Sequence, residues 1–168
     1  MTNTESLIYI YPAQNQKILF LEIDGVLISE ECSKNKLSSE KTHSKFDPLS
    51  VSLIKSLIEE FSLKIVISSS WRYEAIDRLI KELKRNELLE YLYYDWFTPV
   101  IYPAHRGMEI KQWLDVHPEV NEYVIIDDDE NILDGQKENF VKTDLAYGMI
   151  TENYNRVRTI LSSVAELQ

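Results

Sequence analysis

The stretch Lys17-Ile18-Leu19-Phe20-Leu21-Glu22-Ile23-Asp24-Gly25-Val26-Leu27 decides how the rest of the chain is read. An apolar run, Ile18 to Ile23, ends in two carboxylates spaced two apart and meets a glycine at once. Successive side chains of a strand point to opposite faces, so Glu22 and Asp24 are expected on one side with Ile23 turned away. Gly25 lets the chain bend sharply out of the strand. Acids at the carboxyl end of a buried strand sit where an open α/β sheet places its ligands.

Two further runs repeat this pattern with different chemistry. Lys64-Ile65-Val66-Ile67 leads into Ser68-Ser69-Ser70-Trp71-Arg72, and Tyr123-Val124-Ile125-Ile126 leads into Asp127-Asp128-Asp129-Glu130. Between and after them lie helical stripes. Asp47-Pro48 supplies an N-cap and a first-turn proline ahead of Ile54, Leu57, Ile58 and Phe61. Ile76, Leu79, Ile80 and Leu83 form a second stripe, Gly107 through Val116 a helix ended before Pro118, and Thr151 caps a last one with Tyr154, Val157, Ile160, Leu161 and Val164. Weaker strands are expected at Leu7 to Ile10, at Phe97 to Ile101 and at Phe140 to Thr143. The polar segment Ser29 to Lys45 shows no periodicity and reads as a loop or small flap. Strands alternating with helices predict an α/β fold, a doubly wound, Rossmann-like parallel sheet of about five strands with helices on both faces. One domain spanning 1–168 is expected, with the flap at 29–45.

Bulk properties narrow the function. The chain has 168 residues, 44% of them hydrophobic, which suffices for a packed core and excludes a disordered or fibrous reading. A net charge of -10 argues against a broad nucleic-acid surface, because phosphate tracking needs clustered Lys and Arg. Cys32 is the single cysteine, so no internal disulfide forms. No apolar run reaches membrane-span length, and Met1 to Ser6 lacks the basic start of a secretory signal, so a cytoplasmic protein is expected.

Each polar strand end has an ordinary explanation alone: acids meet solvent, serines cap turns, and Arg72, Arg106 and Lys111 are surface charges. Their coincidence after three apolar runs favours a site. Magnesium takes hard oxygen ligands and keeps several waters, which suits Glu22, Asp24, Asp127 and Asp128. A phosphoryl group needs hydroxyls, helix N-terminal N–H groups and a cation facing it, which suits Ser68, the turn after it, and Arg106 or Lys111.

Glu22-Ile23-Asp24-Gly25 resembles the first motif of the haloacid dehalogenase-like phosphohydrolases, with Glu22 standing where that motif has an aspartate. Ile65 to Arg72 resembles the second motif, which implies that Ser68 binds the phosphoryl group, with Ser69, Gly25 and Arg72 beside the substrate. Tyr123 to Asp129 resembles the fourth, which implies Asp128 as a direct magnesium ligand and Asp127 as its partner. The third motif requires a cation before that strand: Arg106 first, Lys111 second. Together with Arg106-Gly107-Met108-Glu109-Ile110-Lys111-Gln112-Trp113-Leu114, these strings resemble a small branch with minimal or no cap, associated with bacterial RNA-repair systems. The resemblance implies a magnesium-dependent phosphomonoester hydrolase acting on a phosphorylated small molecule, a nucleotide or a nucleic-acid end. Trp71 and Trp113 lie beside apolar stripes and read as core, although either, or Trp96, is able to stack on a base.

In the family the first aspartate attacks phosphorus and the second protonates the leaving group and activates water. Asp24 retains the second role. Glu22 keeps a carboxylate but extends it by about 1.5 Å, one bond length, and misplacement by about 1 Å costs on the order of a hundredfold in rate. Glu22 is therefore an adapted nucleophile, the mark of a phosphate- or protein-partner-binding module without turnover, or a substitution that traps a complex. A receiver domain also gathers acids at strand ends, but it needs an aspartate where Ile67 is followed by Ser68.

Overall fold

Five strands, β1 (Gln16–Leu21), β2 (Lys64–Ile67), β3 (Leu92–Phe97), β4 (Val120–Asp127) and β5 (Phe140–Lys142), pair in parallel in the order β3-β2-β1-β4-β5. The computed structural model describes residues 15–36 and 44–165. The expected strand at Leu7 to Ile10 and residues 37–43 of the expected flap lie outside the described residues. The helices are α1 (Glu30–Lys36), α2 (Pro48–Phe61), α3 (Trp71–Glu74), α4 (Ile76–Arg85), α5 (Arg106–Asp115) and α6 (Thr151–Ala165), with 3-10 turns at Leu89–Tyr91 and Asp134–Asn139.

Strand periodicity sorts the core into two layers. Leu19, Leu21, Ile65, Ile67, Val124 and Ile126 pack against Ile54 and Leu57 of α2, Leu79 and Leu83 of α4, and Val157 and Leu161 of α6. Their neighbours Ile18, Phe20, Val66 and Ile125 face the other way, against Ile110 and Trp113 of α5. Ile18 through Leu21 are fully buried, as a central parallel strand covered on both faces requires. Each such side chain contributes roughly 1.5–3 kcal/mol by leaving water. Phe20 meets Trp113 edge to face at 5.3 Å.

The chain order fixes where a ligand sits. From β1 the chain steps outward to β2 and β3 through α2 and α4 on one face. It then returns over the other face through α5 to β4, on the opposite side of β1. This reversal opens a crevice beyond the carboxyl ends of β1 and β4, the topological switch point.

Three local expectations are corrected. The third strand is Leu92–Phe97 rather than Phe97 to Ile101. Pro99 has no N–H for a ladder, so pairing stops after Thr98 N–H reaches Ile67 O at 3.1 Å. The segment read as a loop from Ser29 begins with a helical stretch, Glu30–Lys36, although it has no apolar stripe. Ser29 Oγ caps it by accepting the Cys32 N–H at 3.1 Å, and Glu30 and Glu31 complement the dipole in its first turn. β1 ends at Leu21, two residues earlier than the apolar run suggests. Among the described residues no helix is long and apolar enough to cross a membrane.

Candidate active site

The end of β1 sets the geometry. Glu22 N–H makes one more ladder bond to Ile126 O at 3.1 Å, and the chain then folds so that Ile23 O accepts the N–H groups of Val26, Leu27 and Ile28. Gly25 takes φ 72°, which only glycine adopts without strain. β1 has ended by then, so the place of Asp24 is set by this turn rather than by strand alternation. Glu22 is buried, 6% exposed, while Asp24 is exposed. Thr143 Oγ1 donates to Gly25 O at 2.7 Å and holds the turn from β5. A Cβ on Gly25 would lie 2.5 Å from Asp128 Cγ, so glycine is also what lets the turn press against Asp128.

Arg106, the first residue of α5, reaches into the crevice. Its Nη2 donates to Glu22 Oε2, its Nε to Asp127 Oδ2 at 2.9 Å, and its Nη1 lies 3.5 Å from Glu109 Oε2. The start of α5 is fixed by His105, whose Nδ1 accepts the Met108 N–H, and by Gly107, whose N–H reaches Asn131 O and whose carbonyl accepts from Gln136 Nε2, both at 2.9 Å. The second candidate cation, Lys111, instead pairs with Asp115 on the exposed side of α5. The i,i+4 spacing of that pair satisfies Lys111 at the surface, so Arg106 is the cation that the structure brings to the acids.

The serine turn after β2 flanks the same place. Ser68 N–H donates to Leu21 O at 3.1 Å, and Ser68 Oγ is fully buried with no hydrogen-bond partner among the described residues. Ser69 Oγ accepts the Trp71 N–H at 3.2 Å, and its side chain helps to hold the Glu22 carboxyl down. Arg72, read first as a surface charge and by resemblance as substrate-binding, is only 5% exposed. Its guanidinium donates to the carbonyls of Ser68, Ser69, Thr98 and Pro99 and pairs with Glu109 at 2.9 Å. It pins the serine turn to the loop after β3, which satisfies its donors internally.

Two residues of the site were missed by the sequence. Trp71 is buried as expected, yet its Nε1 donates to Asp24 Oδ2 at 2.8 Å. Glu109 is buried and joins Arg72 to Arg106. Its position three residues after Arg106, on the same helix face, is the signal that was available. His117, by contrast, stacks on Trp113 at 3.7 Å and is a packing residue at the end of α5.

The electrostatics divide the four acids. Burial raises the Glu22 carboxyl above its ordinary value, opposed by Arg106, Ser69 and the Ile23 N–H. Asp127 is pushed up to about 7, first by burial and then by the Glu22 charge, with Arg106 opposing. Burial also raises Asp128, and the charge of Asp24 adds to it. Burial alone would lower Arg106, but Glu22 and Asp127 hold its proton more tightly than usual. One guanidinium thus pairs with both Glu22 and Asp127, whereas no basic side chain among the described residues pairs with Asp24 or Asp128. Among the described residues no three acid, His or Cys side chains form a metal cage. Magnesium asks for less, one or two carboxylates with water completing the shell, and Asp24 with Asp128 fits that demand.

A cavity of about 210 Å³ opens beside Arg106, lined also by Ser70, Arg72, Tyr73, Glu109 and Asn131. A larger one, about 550 Å³, lies against α2 between Phe46, Val51 and Lys55. It is lined by a single carboxylate, Glu59, and by none of the acids and serines at the strand ends, whereas the smaller cavity shares Arg106 with them.

Acids from two adjacent strands, meeting at the switch point over one guanidinium and beside a serine turn, distinguish this sheet from nucleotide-binding and receiver sheets of similar topology. The class they define is the haloacid dehalogenase-like hydrolases. Residues 18–154 match the model of the HAD domain in Swiss Army Knife RNA repair proteins, and the chain belongs to that family. Among solved structures it is similar to a haloacid dehalogenase-like family hydrolase from Streptococcus pneumoniae, at 14% identity and a TM-score of 0.47, covering 92% of this chain and 99% of the other. No curated protein sequence matches it.

Proposed function

We propose that this protein is a magnesium-dependent phosphomonoester hydrolase whose turnover is limited by Glu22. The observation that carries the reading is Arg106, which bridges Glu22 at the end of β1 and Asp127 at the end of β4, with the Ser68-Ser69 turn alongside. A guanidinium and hydroxyls at a helix start and a strand end are the donors that phosphoryl oxygens need.

Arg106, Ser68 and Ser69 hold and orient the phosphoryl group. Glu22 stands where the family places its nucleophile. Asp24, steered by the Trp71 indole, gives a proton to the leaving oxygen and takes one from water in the second step. The Asp128 carboxylate and the Asp24 backbone carbonyl would hold magnesium, with Glu22 and Asp127 behind them, and the bound ion would offset the charge of the phosphoryl oxygens. Arg72 and Glu109 keep the serine turn and Arg106 in register.

The substrate is a phosphorylated small molecule or nucleic-acid end. The family's description, a domain of RNA repair proteins, supports the nucleic-acid end. A net charge of -10 favours recognition of the terminal phosphate over a grip on the strand. The unpaired Cys32 suits a cytoplasmic setting. A second reading, a binding module that holds phosphate or a phosphorylated partner without turnover, is favoured by the engagement of Glu22 with Arg106 and Ile23.

Phosphate release from oligonucleotides with a 3′ or 5′ terminal phosphate, measured with and without magnesium on the unsubstituted chain and Asp24→Asn, tests the proposal. Slow metal-dependent release that Asp24→Asn abolishes supports it. Phosphate binding with no release under any condition supports the binding module.

A further inference from the structure

The carboxylate of Glu22 is held as a bound oxyanion is held. Oε1 accepts the Ile23 N–H at 2.8 Å, and Oε2 accepts from Arg106. Backbone amide, guanidinium and hydroxyl are the donors that a phosphoryl group recruits. Ser68 Oγ, buried at the adjoining strand end and unpartnered among the described residues, is a third polar group there. An unsatisfied buried hydroxyl is costly, and a ligand oxygen is one way to satisfy it.

We infer that Glu22 is an internal ligand of its own phosphate cradle. In the resting protein the Glu22 carboxylate occupies the Ile23 N–H and the Arg106 guanidinium, and an incoming phosphoryl group must displace it. This rests on reading the site as a phosphate site, but it concerns what fills the cradle rather than whether turnover follows. Each charge-assisted hydrogen bond given up is worth on the order of tenfold in affinity, so self-occupancy weakens anion binding substantially.

Titration calorimetry with inorganic phosphate, on metal-free protein in chelator at neutral pH, reads the occupancy directly. Glu22→Ala should bind phosphate at least about tenfold tighter than the unsubstituted chain. Glu22→Gln keeps the length and a carbonyl acceptor without the charge, and should fall clearly short of Glu22→Ala. Adding Arg106→Gln to Glu22→Ala should remove the gain. Equal affinities for the unsubstituted chain and Glu22→Ala overturn the inference. Equal gains in Glu22→Ala and Glu22→Gln also overturn it, because charge repulsion alone would then explain the effect.

Should Glu22→Ala fail to fold by circular dichroism, the Ile23 amide of the unsubstituted chain provides the second measurement. Saturating phosphate should shift its nitrogen–proton resonance as the bonded acceptor changes. An unmoved Ile23 amide beside a shifted Arg106 Nε resonance overturns the inference. Tight phosphate binding by Glu22→Ala with no hydrolysis by any variant would leave the occupancy intact and remove the hydrolase reading. Hydrolysis without tighter binding would do the reverse.

Discussion

At the scale of single residues, the site is a division of charge. Glu22 and Asp127 share Arg106, and Asp24 has the Trp71 indole. Trp71→Phe keeps the buried ring and removes the N–H, so in a Glu22→Asp background it should lower kcat about tenfold and leave KM nearly unchanged, as steady-state kinetics would show. Asp127 makes a separate prediction about pH. Its carboxyl rises from 3.8 to about 7 on folding, so the native state holds that proton more tightly than the unfolded chain. The stability this supplies is complete below the unfolded value and is lost as pH rises through about 7. Urea unfolding of metal-free protein should therefore show the unsubstituted chain losing stability relative to Asp127→Asn as pH rises from about 4 to about 7, and a constant difference would contradict the assignment. Glu22, Asp24, Ser68 and Asp127 were legible in the sequence because each closes an apolar run at a strand end. The partners of Asp24 and Arg72 were not, because they depend on where the turn after β2 places a side chain relative to other strands.

At the scale of elements, two close approaches hold the site together. Gly25 lies against Asp128, and Gly107 brings the start of α5 against the loop after β4, where a Cβ would stand 2.5 Å from Leu133 N. Gly107→Ala should push α5 outward and loosen Arg106 from Glu22 and Asp127. Thermal unfolding should register a loss of about 1–3 kcal/mol, and phosphate affinity should fall with it. Gly25→Ala carries the same cost from its positive φ and from contact with Asp128, and should abolish magnesium-dependent phosphate release. The long elements were readable because α2, α4, β1 and β4 have strong apolar periodicity. α1 was not, since its residues bury no stripe and its formation rests on Ser29 capping and on bonds from Glu30 and Glu31 N–H to Leu145 and Ala146 carbonyls, far away in sequence. β3 was displaced because the aromatic residues before Phe97 and the β-branched Thr98, Val100 and Ile101 after it fit a strand equally well until pairing with β2 selects Leu92–Phe97.

At the scale of the whole molecule, strand order does what no local motif can do. The order β3-β2-β1-β4-β5 places the acids of residues 22–24 and 127–128 side by side, although about a hundred residues separate them, and the serine turn comes from the strand on the other flank of β1. Alternation of strands and helices made that sheet legible in the sequence, while the engagement of Glu22 by Arg106 emerges only once α5 crosses over it. The acidic surface makes its own prediction: affinity for end-phosphorylated RNA should be nearly independent of strand length and only weakly dependent on salt, as fluorescence anisotropy across a length series would show. Under the proposed function, hydrolysis is limited by one methylene at Glu22. The most direct measurement compares magnesium-dependent phosphate release from a simple phosphomonoester by the unsubstituted chain and by Glu22→Asp. Glu22→Asp should release phosphate on the order of a hundredfold faster, a gain abolished by chelator; equal or lower release by Glu22→Asp would mean that the extra methylene does not limit hydrolysis.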